Sequence, residues 1–399
     1  MASSDFLRVL LRTRLRLLNR CFSTATITDA ATKDGTTTTN ARVKIAVNQI
    51  FRERNYDRLV EKFKECSKEY RFRCKHNVYE RTVRRLAAAK RFSNIEDILE
   101  EQKKYAEVAS EGFFIRLITL YGRAGMLQHA MRTFDELPTL GCERTVKSMN
   151  AVLTACADTK NFATVKTLFH ELPEKLGVTP DIYSYNILAL AFCEMGSLDL
   201  AFSLLEEMKK NGVSPNTVTF NTLLNGFYRS NQRSEAEKVW TEMENCGVMP
   251  DTKTFNAKMR GLIVEGKAKE AVKVIDELES KGLKPDTVSF NILIKALCEE
   301  DDAEEVKKMV CEMKTRELLL NRMIYETVIP ALCKGEFIDM AYELCEEALN
   351  RNCFIKPEVL QEVINRLVAI SEDEKAKQLV DMGSGKSYYD SKFTISLDS

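Results

Sequence analysis

From residue 182 onward, apolar positions recur with helical spacing, and each apolar stretch is broken at a regular interval by glycine, asparagine or proline. Four stretches open alike: Ile182-Tyr-Ser-Tyr-Asn186, Thr217-Val-Thr-Phe-Asn221, Thr252-Lys-Thr-Phe-Asn256 and Thr287-Val-Ser-Phe-Asn291, each starting 35 residues after the last. In the second of them Phe220, Leu223, Leu224 and Phe227 lie on one helical stripe. A break follows at Gly196 in one repeat and at Asn231-Gln232 in the next, and a second stripe then carries Ala236, Val239, Trp240 and Met243. Gly212, Gly247 and Gly282 end the second helices, and Pro215, Pro250 and Pro285 forbid their continuation. Ser184, Thr219, Thr254 and Ser289 are expected to be the N-caps of the first helices. Neither helix alone can bury its stripe, so hairpins must stack, and the pattern predicts an all-α solenoid of about nine helix–turn–helix repeats. Trp240 falls where neighbouring repeats place Leu205 and Ile275, which makes it a core residue.

The register weakens outward. Val146–Asp181 fits with one extra residue near Leu176, Glu111–Thr145 fits through Gly125, Ala130 and Gly141, and Arg322–Lys356 keeps Tyr325 and Ala341. The expected organisation is therefore 1–22 a leader, 23–40 a disordered linker, 41–145 divergent helical repeats, 146–321 well-formed repeats, 322–382 a divergent repeat and closing helix pair, and 383–399 a disordered tail.

Composition narrows the function. With 59 basic and 59 acidic residues the formal charge is zero, which argues against a uniformly basic surface. Arg8, Arg12, Arg14, Arg16 and Arg20 alternate with leucines in an acid-poor start, the signature of an organelle transit peptide. Removing 1–22 would leave 54 basic and 58 acidic residues, a balance of −4. No apolar run reaches the length of a membrane span. The 12 cysteines form no C-x-x-C pair and read as free thiols, and the three histidines, His76, His129 and His170, sit at no metal-ligand spacing. No phosphate-binding glycine loop and no zinc-deaminase pattern occurs. The expectation is no catalytic residue, no metal, no cofactor and no small-molecule substrate.

Period 35, an aromatic followed by Asn in the first helix, and Pro-Asp or Pro-Asn at the repeat end together resemble the pentatricopeptide repeat family of organellar RNA-binding proteins, over roughly 41–356. The resemblance implies a right-handed superhelical solenoid and a modular code in which each repeat reads one base. The implied readers pair as Asn150 with Asp181, Asn186 with Asn216, Asn221 with Asp251, Asn256 with Asp286, and Asn291 with Asn321. In the family, Asn with Asp looks like a uracil reader and Asn with Asn takes cytosine or uracil, so the string implied is U-Y-U-U-Y. Tyr183, Val218, Val288 and Met323 suit the base-sandwiching position, whereas Lys147 and Lys253 do not. Arg123, Arg229 and Lys334 stand where the family often meets phosphate, but Asp158, Glu194, Glu299 and Val264 occupy the same place in other repeats. Ile115 with Thr145 and Glu326 with Lys356 are unreadable pairs.

The leader, the length and the lack of appended domains are similar to short family members found in the plant mitochondrial ribosome. The function expected is an RNA-binding scaffold of mitochondrial translation in the matrix, contacting single-stranded or ribosomal RNA and mitoribosomal proteins, with no membrane association. Two alternatives stand beside it: a free factor that stabilises or processes transcripts, and a scaffold that binds only protein.

Overall fold

A computed structural model describes residues 35–105, 110–389 and 393. The leader, residues 23–34 of the expected linker, and 390–392 and 394–399 of the tail lie outside the described residues. The chain divides into two compact units, 1–108 and 109–399. Among the described residues all regular structure is helical.

In the first unit α1 (Gly35–Arg52), α2 (Tyr56–Ser67), α3 (Tyr70–Arg73), α4 (His76–Ala88) and α5 (Phe92–Gln102) enclose a small core. Phe63 sits at its centre, edge-on to Phe72 at 5.1 Å and to Tyr79 at 4.9 Å. Tyr79 donates to Gln102 Oε1 at 2.7 Å, and Gln102 Nε2 donates to Ser67 Oγ at 3.1 Å, so these buried polar groups satisfy one another. α1 begins at Gly35, so residues 35–40 are helix where the sequence pattern predicted linker. Once a helix is nucleated on the stretch that buries Val43 and Ile50, adding residues upstream costs little.

The second unit is eight helix hairpins in series: α6 (Glu111–Arg123) with α7 (Leu127–Glu136), α8 (Val146–Asp158) with α9 (Phe162–Leu176), α10 (Ile182–Glu194) with α11 (Leu198–Lys210), α12 (Thr217–Arg229) with α13 (Arg233–Asn245), α14 (Thr252–Val264) with α15 (Ala268–Ser280), α16 (Thr287–Glu299) with α17 (Ala303–Thr315), α18 (Arg322–Lys334) with α19 (Ile338–Asn350), and α20 (Pro357–Ala369) with α21 (Asp373–Ser384). Each first helix packs on the first helix of the next hairpin, α6 on α8, α8 on α10 and so on to α20, while the second helices lie outside this row. Residues at the aromatic position, Tyr185, Phe220, Phe255, Phe290 and Tyr325, are all buried where hairpins meet. Trp240 is half-buried on the same core, edge-on to Phe255 of the following hairpin at 5.4 Å.

Glycines set the spacing of that row, and a side chain on Gly122 of α6 would lie 2.6 Å from Ala155 of α8. A side chain on Gly226 of α12 would lie 2.5 Å from the Cys193 sulfur of α10, and one on Gly261 of α14 would overlap the Tyr228 ring of α12. The far end also differs from expectation. α21 runs to Ser384, Tyr389 donates its hydroxyl to the Ile355 carbonyl at 2.9 Å, and Phe393 is buried against Tyr389 at 5.1 Å. Among the described residues no hairpin follows α20 and α21, and these aromatics cover the apolar side of that pair.

Candidate nucleic-acid interface

The residues of the implied code begin the first helices. Those helices start three residues earlier than the serines and threonines suggested. The N-caps are Asp181, Asn216, Asp251, Asp286 and Asn321, in extended conformation, while Ser184, Thr219, Thr254 and Ser289 occupy the third helical position. Cap and third residue bond reciprocally in a capping box, Thr254 N–H to Asp251 Oδ1 at 3.0 Å and Asp251 N–H to Thr254 Oγ1 at 2.9 Å. The short side chain of Asp or Asn reaches the orphan N–H groups, and the hydroxyl returns the bond, so both residue types carry the cap signal.

The asparagine of one repeat meets the cap of the next. Nδ2 of Asn150 donates to Asp181 Oδ1 at 2.9 Å, that of Asn221 to Asp251 Oδ1 at 3.0 Å, and that of Asn256 to Asp286 Oδ1 at 3.4 Å. The carbonyls of Asn150, Asn186 and Asn256 take the hydroxyl of the next repeat's box: Ser184 Oγ donates to Asn150 Oδ1 at 2.6 Å, Thr219 Oγ1 to Asn186 Oδ1 at 2.7 Å, and Ser289 Oγ to Asn256 Oδ1 at 2.7 Å. Three of the five sequence-implied pairs are thus joined directly at seams between hairpins, while among the described residues no hydrogen bond joins Asn186 to Asn216 or Asn291 to Asn321. The asparagines are deeper than a free reading residue: Asn186, Asn221 and Asn256 are 4%, 8% and 2% exposed. The caps are shallower, with Asp286 and Asn321 exposed and Asp181, Asn216 and Asp251 half-buried.

This seam leaves one atom of each cap uncommitted. All hydrogen bonds to Asp181, Asp251 and Asp286 among the described residues use backbone or Oδ1, leaving Oδ2 an open acceptor. Asn216 and Asn321 accept through Oδ1, from Thr219 and from the Ile324 N–H, which leaves their Nδ2 groups as open donors. Oδ1 of Asn221 and of Asn291 is buried without a partner.

Flanking positions are mixed. Tyr183 and Met323 are 45% and 55% exposed, whereas Val218 and Val288 are half-buried. Arg229 and Lys334 are exposed but engaged, Arg229 with Glu194 at 2.7 Å and Lys334 with Asp301 at 3.1 Å. Arg123 is exposed at the end of α6. One cation beside the track was not singled out: Arg260, one helical turn beyond Asn256, donates to Asn225 Oδ1 at 3.4 Å, and burial lowers its pKa to about 10. Its spacing of four residues from a reader was the signal available in the sequence. Among the described residues no group of three or more His, Cys, Asp or Glu could hold a metal ion.

The model of the PPR repeat family matches residues 180–229, 215–263, 250–299 and 285–334, and a single PPR repeat matches 114–142. The chain carries pentatricopeptide repeats. Over 157 residues it is 52% identical to the Arabidopsis thaliana small ribosomal subunit protein mS78 (rPPR3a), covering 39% of each chain. Over the same length it is 48% identical to mS79 (rPPR3b) of that plant, covering 39% of this chain and 40% of the relative. The Arabidopsis thaliana small ribosomal subunit protein mL103 (rPPR7) is 35% identical over 204 residues, 50% of this chain and 48% of that one. The matched part of this chain thus spans between two fifths and half of those relatives.

Proposed function

We propose that this chain is an RNA-binding repeat scaffold of mitochondrial translation, a non-enzymatic constituent of the mitochondrial ribosome in the matrix that contacts single-stranded, pyrimidine-rich RNA. The observation that carries the RNA reading is the open atom on each cap, three acceptors and two donors at a pitch of 35 residues. Uracil presents an N3–H donor at the centre of its pairing edge, and cytosine presents a bare N3 acceptor there. An open Oδ2 therefore accepts from uracil and repels cytosine, whereas an open Nδ2 donates to cytosine N3 or to a uracil carbonyl. The restriction to pyrimidines comes from the family resemblance, not from this geometry. Tyr183 and Met323 offer apolar surface on which a base can rest. The ribosomal and mitochondrial part of the reading is supported by relatives whose names carry it and by the arginine-rich first residues.

Sedimentation of plant mitochondrial lysate through a sucrose gradient at high salt tests the ribosomal part. The chain should travel with one ribosomal subunit. Recovery wholly in the ribosome-free fractions would replace that reading with a free RNA factor.

One observation favours a second reading, a scaffold that binds protein alone: the asparagines are largely buried and already bonded between hairpins. Five-nucleotide RNAs decide between the two, because a protein-only scaffold would show the same weak affinity for every sequence.

A further inference from the structure

Charge is divided sharply between the two units. Residues 41–105 of the first unit hold 18 basic and 10 acidic side chains, a balance of +8, and the second unit, 109–399, holds 35 basic and 45 acidic, a balance of −10. Every implied base reader lies in the acidic unit. Nucleic-acid affinity rests chiefly on cations that meet phosphate, so the code-bearing hairpins supply little of it. In the basic unit three arginines line one pocket. A pocket of about 330 Å³ opens between the end of α1, the start of α2 and the exposed side of α4, walled by Phe51, Leu59, Arg81, Thr82, Arg84 and Arg85.

The chemistry of that pocket suits an anion. Arg81 lies over the Phe51 ring at 3.9 Å, and among the described residues neither Arg81 nor Arg84 is in an ion pair. Arg85 is anchored by donating to the Glu53 carbonyl and lies over the Tyr56 ring at 5.4 Å, and Arg91 approaches the same ring at 5.7 Å. Stacking on an aromatic face holds a guanidinium flat and leaves its edge of N–H donors for a second partner. Thr82 provides an independent sign. It is 2% exposed, it lines the pocket, and among the described residues its hydroxyl has no hydrogen-bond partner. A buried hydroxyl without a partner is costly, and a phosphate oxygen within the pocket would satisfy it.

We infer that the Arg81–Thr82–Arg84–Arg85 pocket of the first unit is a phosphate-binding site for the RNA backbone, holding RNA without regard to sequence while the second unit reads bases. The inference rests on the RNA reading of the preceding section. The planar guanidinium fork matches a phosphodiester bidentately, and aromatic rings beside it can stack an adjoining base. An RNA strand offers both; an acidic peptide offers carboxylates alone.

The test is fluorescence anisotropy of the full chain with labelled twenty-nucleotide oligo(U) and oligo(A), from 50 to 300 mM KCl. Arg81→Gln with Arg84→Gln should weaken both RNAs to the same degree. It should also flatten the slope of log affinity against log salt by about 1.4, since each single-strand phosphate contact contributes roughly 0.7. Thr82→Val, which keeps every charge, should lower affinity for both RNAs severalfold with the slope unchanged. Asp251→Asn should leave the slope alone and alter only base preference, so failure of the base-reading proposal is separable from failure of this one. An unaltered slope and affinity in the double arginine variant, with an unchanged thermal melt by circular dichroism, would overturn the inference. So would a double variant that keeps its RNA affinity but loses binding to vesicles of phosphatidylcholine with one-fifth cardiolipin, which would reassign the pocket to a lipid headgroup.

Discussion

Asp251 does two jobs with two oxygens. Oδ1 caps α14 and receives the amide of Asn221, and Oδ2, open among the described residues, is the atom proposed to meet a base. The residues of a base code are therefore also residues of fold stability, and substitutions must be chosen with both in mind. Asn256→Ala removes the acceptor for the buried Ser289 hydroxyl and the donor to Asp286, and should lower unfolding free energy by about 1–3 kcal/mol. Chemical denaturation measures it, and a loss below a few tenths would show that the seam between hairpins is energetically idle. The sequence displayed these asparagines by register, but it placed the caps three residues late. Ser, Thr, Asp and Asn all favour helix starts, so a capping box carries the signal twice and only the backbone decides which copy is the cap. Thiols give an independent check of packing. Burial pushes Cys193 up to about 12 and Cys298 up to about 12, whereas Cys74 and Cys311 are exposed. A raised pKa keeps the thiol protonated, hence unreactive, at any pH below it. Iodoacetamide at pH 8 should alkylate Cys74 and Cys311 first and spare Cys193; early modification of Cys193 in folded protein would mean that α10 and α12 are not packed as described.

At the scale of elements, first helices lie close because small residues let them. Gly261 carries no side chain where the Tyr228 ring crosses, and Gly226 has none where Cys193 crosses. Gly261→Ala gains up to about 1 kcal/mol of helix propensity yet forces Tyr228 aside. The expected net effect is destabilisation by about 1–3 kcal/mol, the usual range for overpacking. A thermal melt at or above the parent's would show that the helices can separate without loss. Helix periodicity made the hairpins from Glu111 onward readable, because each carries its own stripe and its own break. The spacing between hairpins was not readable. A glycine inside a helix looks like a weakness until the neighbouring ring is seen. The same limit applies to Arg229 and Lys334, since a basic residue at a phosphate position does not announce the carboxylate from the preceding repeat that already holds it.

At the scale of the whole chain, the proposed function separates affinity from specificity. A net charge of zero hid two units of opposite sign, and only their separation as compact units gave that split a meaning. The ends were the least legible part, because terminal hairpins lack the neighbour that enforces the repeat pattern. Tyr388, Tyr389 and Phe393 lie in a polar-looking tail yet close the last hairpin. What the account depends on most is that a cap atom at each seam faces a base. The direct measurement is competition binding of the full chain to five-nucleotide RNAs that differ only at the third base, the one opposite Asn221 and Asp251, for the parent and for Asp251→Asn. Asparagine is as good a cap as aspartate and already serves at Asn216, so the fold should persist. The parent should prefer uracil over cytosine there by about 1–3 kcal/mol, roughly fivefold to a hundredfold, and the variant should lose or invert that preference. The same uracil-to-cytosine ratio in both proteins would contradict it.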